Sequence, residues 1–292
     1  LTESFALKAS YAMMNQFMHL LTNTGVGLPT DLWVPATDRV KPQQSQQVAI
    51  GIAKDFSEPD LTLTVEGYYK HSKRVISYKE GASFLAIDDP ENAASIDWQN
   101  NVTQGNGYAY GAEVLLQKKK GKYTGWIGYT LSWTQLQFDD LNFGEKFFAR
   151  YDRRHDISIV NIYKPKPTIT LSAIWVYGTG NAITLPLASY SLSSHEPVPN
   201  QNNGFDFGFQ PTLNEYGSRN DFRMRANHRL DVGIQFHKQK SWGERTWEIS
   251  IYNVYNRRNP FFYYIGNQNG QNVLKQVSIF GLIPSFSYRI KF

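Results

Sequence analysis

The C-terminal stretch VSIFGLIPSFSYRIKF, which runs from Val277 to Phe292, has the clearest pattern in the chain. Apolar and aromatic residues occupy every second position, and the residues between them are mainly small or charged. The apolar series is Phe280, Leu282, Pro284, Phe286, Tyr288, Ile290 and Phe292. Since side chains alternate between the two faces of a β-strand, the stretch is predicted to form a strand with one apolar face.

The same alternation recurs through the chain, for example at Leu230, Val232, Ile234 and Phe236 and at Leu61, Leu63 and Val65. Each alternating segment has about ten residues or more, which is the length that a tilted strand needs to cross a bilayer. Ten strands are predicted, near residues 5–21, 45–56, 60–78, 107–118, 122–137, 155–164, 167–183, 227–239, 244–264 and 273–292.

The predicted connections alternate between short and long. Short turns lie near residues 57–60, 118–122, 164–167 and 239–244, and polar loops lie near 22–44, 79–106, 138–154, 184–226 and 265–272. A membrane barrel has short periplasmic turns and long external loops, whereas a soluble all-β sandwich has no reason to sort its connections by side. The predicted fold class is therefore an all-β, transmembrane, antiparallel up-and-down β-barrel, with both chain ends at the periplasmic side.

The composition fits this fold class. Tyr, Phe and Trp number 18, 18 and 7 among 292 residues, and barrels place such rings at the two lipid boundaries. No stretch approaches the roughly 18 apolar residues of a membrane helix, so a helical membrane protein is excluded. The net charge of +5 is modest, and the basic residues are scattered or lie in short turns such as Lys118-Lys119-Lys120. They form no basic stripe interleaved with aromatics, which argues against nucleic acid as a partner.

The residues suggest no catalytic site and no cofactor. The six His residues lack a two-His metal spacing with a nearby carboxylate, there is no Cys, and no Gly-x-Ser-x-Gly motif occurs. Carboxylate pairs such as Asp88-Asp89 and Asp139-Asp140 could bind calcium, but solvated loop charge explains them better. No metal site and no enzyme activity are predicted.

The polar loops carry the candidate ligand contacts, because aromatic rings and side-chain amides suit a glycan or a peptide. These candidates are Trp33, Trp98, Arg150, Arg153, Tyr190, Phe205, Phe207 and Tyr216. Arg150, Arg153, Arg154 and His155 could attract an anionic ligand at the barrel mouth. Ion pairs inside the wall are the favoured alternative, with Glu66 or Glu113 as partners.

Several segments resemble the C-terminal part of the barrel of TonB-dependent outer-membrane receptors, particularly the SusC-like receptors of Bacteroidota. The resemblance spans nearly the whole chain, and it lies in the order of these segments: 11–20, 28–35, Lys41-Pro42-Gln43 with 48–51, 110–113, 150–156, 175–180, 252–256 and the aromatic terminus. It implies that residues 1–292 are the last ten strands of a 22-stranded barrel whose plug domain and first strands are absent here, so that the chain is one piece of a longer or nicked polypeptide.

The resemblance also implies a function. Such receptors import a nutrient too large for diffusion, such as a glycan, a peptide or a metal chelate, and the TonB complex acts on the plug. Outer-membrane lipid, the rest of the receptor and a surface lipoprotein lid are the implied partners, in a Gram-negative bacterium of the Bacteroidota. Phe286, Tyr288, Ile290 and Phe292 resemble the terminal signal that directs barrels to their assembly machinery. A passive porin-like channel and a structural or adhesin barrel are the alternatives.

Overall fold

The computed structural model describes residues 4–22, 31–58, 60–80, 97–191, 198–199, 205–206, 212–269 and 271–292. Ten long strands form one antiparallel sheet, in which each strand pairs with its neighbours in chain order. They are β1 (Phe5–Gln16), β2 (Gln43–Phe56), β3 (Leu61–Tyr78), β4 (Val102–Lys118), β5 (Tyr123–Gln137), β6 (His155–Lys166), β7 (Ile169–Gly178), β8 (Asn227–Lys240), β9 (Gly243–Tyr252) and β10 (Ile283–Lys291).

The connections sort by length, as the sequence predicts. Short turns at 57–60, 119–122, 167–168 and 241–242 all lie at one end of the sheet, and the long connections lie at the other. We call these the short-turn end and the long-loop end. The all-β, up-and-down antiparallel fold is therefore confirmed. Among the described residues, no helix has the length and apolar character needed to cross a membrane.

The strand register collects the apolar side chains on one face, which we call the outer face. Directly opposite residues in an antiparallel pair point the same way, so each hydrogen-bonded row can be followed across the sheet. One such row is Leu7, Ile52, Val65, Val114, Tyr129, Ile157 and Tyr177. Side chains on this face are open to the surroundings, with Ile50 59% and Ile249 49% exposed. Such a surface suits contact with lipid tails.

The opposite face, the inner face, carries the polar and small residues. A row next to the one above reads Lys8, Gly51, Glu66, Glu113, Thr130, Asp156 and Gly178. Apolar residues outside and polar residues inside are the arrangement of a water-filled or plugged barrel.

The strands are strongly staggered. The row that starts at Leu61, the first residue of β3, ends at Pro284, close to the long-loop end of β10. A stagger of this kind is required when a sheet curves into a barrel. Yet β1 pairs only with β2, and β10 pairs only with β9, so the sheet has two free edges within the described residues.

The last two predicted strands are corrected by the structure. The prediction of one strand over 244–264 is wrong, because β9 ends at Tyr252 and Asn253 adopts a positive φ of 54°. Residues 273–292 are not one strand either, since Gln271–Val277 pairs with Phe262–Gln268 in a separate hairpin and β10 begins only at Ile283. Phe280 and Leu282 therefore continue the alternation without belonging to the strand.

Smaller elements occupy the long-loop end. The predicted strands 5–21 and 167–183 both end early, because Phe17 bends the chain and Gly178 ends β7. The extra strands pair as Met18–Thr22 with Asp31–Pro35, Ala182–Ile183 with Phe222–Arg223, Pro186–Ser191 with Thr212–Tyr216, Val198–Pro199 with Phe205–Asp206, and Phe147–Phe148 with β5. Two 3-10 helices lie at Trp98–Asn101 and Asn142–Gly144.

Candidate functional site

The inner face holds two carboxylates that have no counter-charge among the residues that the structure describes. Glu66 on β3 lies directly opposite Glu113 on β4. Neither side chain forms a hydrogen bond or an ion pair with any residue that the structure describes. Like charges directly opposite each other destabilise a sheet. This pair therefore favours a cationic partner inside the lumen.

On the inner face of β8 and β9 the polar groups satisfy one another. Gln235 Nε2 donates to Glu248 Oε2 at 3.1 Å across β8 and β9. Arg229 Nε lies 2.9 Å from Asp231 Oδ2 on the same strand. His237 contacts Thr246 Oγ1 at 3.1 Å. These contacts stabilise the wall itself, and they contrast with the isolated Glu66 and Glu113 pair.

A buried carboxylate organises the long-loop end. The Asp152 side chain is fully buried and accepts a hydrogen bond from the Thr134 amide at 2.5 Å. The guanidinium of Arg223 bonds the same carboxylate, and Arg154 Nη2 lies 3.6 Å away. Because the 179–226 connection supplies Arg223 and the 138–154 connection supplies Asp152, the cluster joins two long loops. We call Asp152, Arg154 and Arg223 the loop latch.

The latch is enclosed by aromatic rings. The Arg154 guanidinium lies 4.3 Å from the centre of the Trp133 ring, and Arg223 lies 4.8 Å from that of Phe148. Burial lowers the pKa of Arg154, and the neighbouring Arg223 charge lowers it further, whereas Asp152 opposes both effects. Both guanidiniums thus depend on one carboxylate for neutralisation.

Two members of the arginine run form ion pairs. Ion pairs, the favoured alternative to an anion site, are present for Arg153 and Arg154, but the predicted partners Glu66 and Glu113 are wrong. Arg153 pairs with Asp156 at 3.5 Å, and Arg154 pairs with Asp152. The backbone oxygen of Arg150 accepts a hydrogen bond from the Ala182 amide at 3.0 Å.

A second set of contacts extends the loop assembly. The Asn220 side chain is almost completely buried and donates to the Phe148 carbonyl at 2.8 Å. Arg219 reaches Glu80 at 3.1 Å, and its amide bonds Asn142 Oδ1 at 2.9 Å. Three long loops are therefore held together by polar side chains.

An asparagine holds the last long connection. The Asn253 side chain is buried, accepts from the Arg257 amide at 3.0 Å and donates to its carbonyl at 2.8 Å. The Asn253 amide in turn donates to Asp231 Oδ1 at 2.9 Å. This turn directs the chain into the hairpin whose Tyr263 packs with Ile183 and Met224.

A small aromatic core beside the latch depends on Gly105. Phe138, Leu141 and Phe147 are buried there against Val75 and Leu136. A Cβ atom at Gly105 would lie 2.2 Å from the Gln137 carbonyl oxygen and 2.5 Å from the Phe138 ring. No ordinary side chain fits this space.

We expect Gly105→Ala to lower the free energy of unfolding of the long-loop end by about 1–3 kcal/mol, the usual cost of overpacking. Thermal unfolding followed by tryptophan fluorescence, with limited proteolysis of the loops, measures this loss. Gly67→Ala is the matched control, because its Cβ would meet nothing closer than 3.8 Å. Equal effects of the two substitutions would contradict the packing assignment.

The predicted ligand contacts lie in different parts of the loop assembly. Trp33 is 59% exposed, whereas Trp98 packs on a buried cluster that includes Leu21 and Tyr78. Tyr216 is exposed. Tyr190 and Phe205 lie in short loop strands whose side chains are outside the described residues, as is Phe207 entirely.

Sequence reasoning missed the residues that organise this end. Asp152 stands within the run that drew attention to the arginines, but its partner Arg223 is 71 residues away. Asn253 carried a weak signal, since asparagine tolerates positive φ and often begins a turn. No cluster of three or more His, Cys, Asp or Glu that could hold a metal ion occurs in the part of the chain that the structure describes.

The described fold is similar to that of solved outer-membrane receptors. The ferripyoverdine receptor of Pseudomonas aeruginosa covers 100% of this chain at 14% identity and a TM-score of 0.53. The ferric-catecholate import receptor Fiu from E. coli K12 covers 99% at 13% identity and 0.52. The ferric yersiniabactin uptake receptor FyuA from Yersinia pestis covers 100% at 14% identity and 0.54.

These likenesses show the fold, a transmembrane β-barrel. The chain spans about a third of each structure, namely 32%, 34% and 36% of the three chains. No family model matches the sequence, and no curated protein matches it.

Proposed function

We propose that this chain is a sector of the barrel of a TonB-dependent receptor, which imports a large nutrient across the outer membrane of a Gram-negative bacterium. In this proposal residues 1–292 are one part of a single barrel domain. The remaining strands and a plug domain complete it, and the TonB complex acts through the plug. The chain has no enzymatic role.

The open sheet carries the proposal. The eight strands between β1 and β10 are paired on both sides, but β1 and β10 each leave one row of backbone amides and carbonyls without a strand partner among the described residues. Within a bilayer every such group must be satisfied, so an open edge is not tolerated next to lipid. Further strands that pair with β1 and β10 remove both edges at once.

The unpaired carboxylates support a filled lumen. Glu66 and Glu113 face the interior from the middle of their strands. A water-filled pore leaves this like-charge pair unopposed, whereas a plug domain that presents an arginine or lysine neutralises it. Ion pairing of this kind gives the plug a fixed seat in the wall.

The nutrient is proposed as a glycan, a peptide or a metal chelate, bound at the loops of the long-loop end. The names of the three similar structures describe ferric chelate receptors, which supports the third class. The SusC-like segments support a glycan or a peptide, a lipoprotein lid and an origin in the Bacteroidota. Among the predicted contacts, Trp33 and Tyr216 have the exposure that ligand binding needs.

A passive channel or a structural barrel of ten strands is the second candidate. A ten-stranded pore is closed only if β1 pairs with β10. In the structure these two strands do not pair. The open sheet therefore disfavours this candidate.

Conductance and growth measurements test the proposal together. In a planar bilayer the complete protein is expected to show no steady ion current, because the plug blocks the lumen. A strain that lacks the gene is expected to lose growth on one nutrient class, and loss of TonB is expected to have the same effect. A steady open-pore current, with growth independent of TonB, would establish the passive channel instead.

Neutralising the lumen carboxylates tests the plug contact. We expect Glu66→Gln combined with Glu113→Gln to raise the frequency of open-pore current events several-fold, because the plug loses its anionic seat. Glu248→Gln is the control, since Glu248 is already bonded to Gln235 within the wall. Unchanged current in the double variant would argue that no plug group contacts this pair.

A further inference from the structure

Three of the four turns at the short-turn end are strongly basic, whereas the turn at 57–60 carries Glu58 and Asp60. The stretches 118–122, 164–168 and 238–245 contain nine lysine or arginine residues and one carboxylate, a surplus of eight positive charges. The whole chain carries only +5, so the remainder is net negative. We call these three stretches the basic rim.

Several members of the rim point to the outer face. Lys118 pairs with Leu61 and Lys166 pairs with Ile169, both of which belong to the apolar surface. Lys238 and Arg245 follow by alternation from Phe236 and Trp247, which are direct partners on that surface. The charges therefore border the lipid-facing band and do not only surround the lumen.

Lys238 and Arg245 form the most informative pair of the rim. They lie directly opposite each other on β8 and β9, so two positive charges face the same way at adjacent positions. Like charges in this arrangement destabilise a sheet. In addition, Arg245 Nε is buried and has no hydrogen-bond partner among the described residues. Both features call for an anion at this place.

Aromatic side chains lie just inside the rim, toward the middle of the band. Tyr123 follows Lys122, Tyr163 precedes Lys164, and Trp247 lies two residues from Arg245 on the same face. All three rings are between 38% and 52% exposed. In the pair Trp247 and Arg245, two residues along the strand span about 7 Å, which separates a ring at the acyl–glycerol boundary from a cation at phosphate depth.

The rim has little acid of its own to neutralise it. Lys120 lies 3.4 Å from Asp60, and His237 rather than Arg245 lies beside Glu244 at 3.3 Å. Lys122, Lys164, Lys166 and Lys238 form no ion pair with any described residue. Their ammonium groups are thus available to an external anion.

We propose that the basic rim binds the headgroup phosphates of anionic phospholipid, with Lys238 and Arg245 sharing one phosphate. Lysine and arginine at a membrane surface each attract anionic lipid, and a phosphate between the two strands removes the like-charge repulsion. The lipid preference rests on the membrane fold alone. The assignment to the inner leaflet rests on the proposed outer-membrane orientation, in which the short turns face the periplasm.

Spin-labelled lipids measure this preference in the complete protein reconstituted into phosphatidylcholine vesicles. We expect labelled phosphatidylglycerol to be motionally restricted about fivefold more than labelled phosphatidylcholine, the effect of about one lysine at a charged membrane surface. High salt is expected to remove most of the difference. Equal restriction of the two lipids at low salt would overturn the proposal.

Variants locate the site. Lys238→Gln with Arg245→Gln is expected to remove most of the preference, with the remainder due to the other rim lysines, whereas Lys238→Arg with Arg245→Lys, which keeps both charges, is expected to retain it in full. Lys73→Gln with Lys146→Gln is the matched control at the long-loop end, where Lys73 is exposed and Lys146 lies 4.0 Å from the Tyr108 ring centre. An equal loss in this control would overturn the assignment to the rim.

The periplasm offers another anionic macromolecule, peptidoglycan, and a separate arm addresses it. If Lys238→Gln with Arg245→Gln abolishes co-sedimentation with purified sacculi but leaves the lipid ratio at its wild-type value, the lipid proposal is overturned. Conductance and growth are measured on the same variants. Conductance and growth do not depend on the lipid ratio. Loss of the lipid proposal can therefore be distinguished from loss of the proposed function.

Discussion

Replacing Asp152 with asparagine is expected to lower the stability of the long-loop end by about 3 kcal/mol. Asp152 is fully buried and neutralises both Arg154 and Arg223. Removing one partner of a buried ion pair costs about 3–5 kcal/mol, because the other charge stays desolvated. The lower end of that range applies here, because the side chains of Arg154 and Arg223 remain 23% and 31% exposed.

Hydrogen exchange measures this effect with position resolution. The Ala182 amide, which bonds the Arg150 carbonyl across the two loops, and the amides of Ala149 and Met224 beside the latch are expected to exchange about a hundredfold faster, while amides in the middle of β5 keep their protection. Asp139→Asn is the matched control, because Asp139 is exposed and forms no ion pair with a described residue. If exchange rises equally in the control, or remains unchanged in the Asp152 variant, the latch has no stabilising role.

Replacing Ile234 with arginine is expected to cost about 2–4 kcal/mol of folding free energy in a bilayer. Ile234 lies at the middle of β8 on the outer face, between Leu171 on β7 and Ile249 on β9. An arginine at the bilayer midplane on the lipid-facing side of a barrel carries this penalty. Urea titration of the complete protein folded into lipid vesicles measures it.

The neighbouring residue is the control. Gln235 points to the inner face and bonds Glu248, so Gln235→Arg places a positive charge beside a carboxylate in a polar lumen. This variant is expected to fold nearly as well as the unmodified protein. Equal folding of both variants would refute the assignment of faces.

The outer face could be predicted from the sequence because its signal is local. A period of two, as in the residues from Leu230 to Phe236, states which side chains share a face without any knowledge of their neighbours. The loop lengths predicted the up-and-down strand order, because short and long connections alternate along the chain as it passes from one end of the sheet to the other.

The end of β9 could not be predicted from that signal. Tyr252, Phe262 and Tyr264 maintain an aromatic pattern across the true boundary, while the break depends on bonds between the Asn253 side chain and the backbone of Arg257. The hairpin beyond it lies off the sheet because Tyr263 packs on residues of another loop. Alternation describes a strand but not the sheet to which the strand belongs.

The loop latch and the lumen carboxylates were beyond reach for a related reason. Asp152 gains its role from Arg223 and Thr134, which are 71 and 18 residues away. Glu66 lies opposite Glu113 only in the observed register of β3 and β4, and a shift of that register by a single position would separate them. The partners of a charged residue in a barrel wall can be inferred only when the strand register is known.

The neighbour-to-neighbour order of the strands has a consequence for how the chain folds. Every strand of the sheet pairs with the strand before or after it, so the sheet can grow one hairpin at a time with little loss of chain entropy, even across the long 179–226 connection. In the proposed receptor, the pairing of β1 and β10 with strands outside this chain is a later and more distant step. Until then, both edges can recruit other chains and start aggregation. The time at which these two edges are covered therefore determines when the sheet can enter the bilayer and how long it is exposed to misassembly.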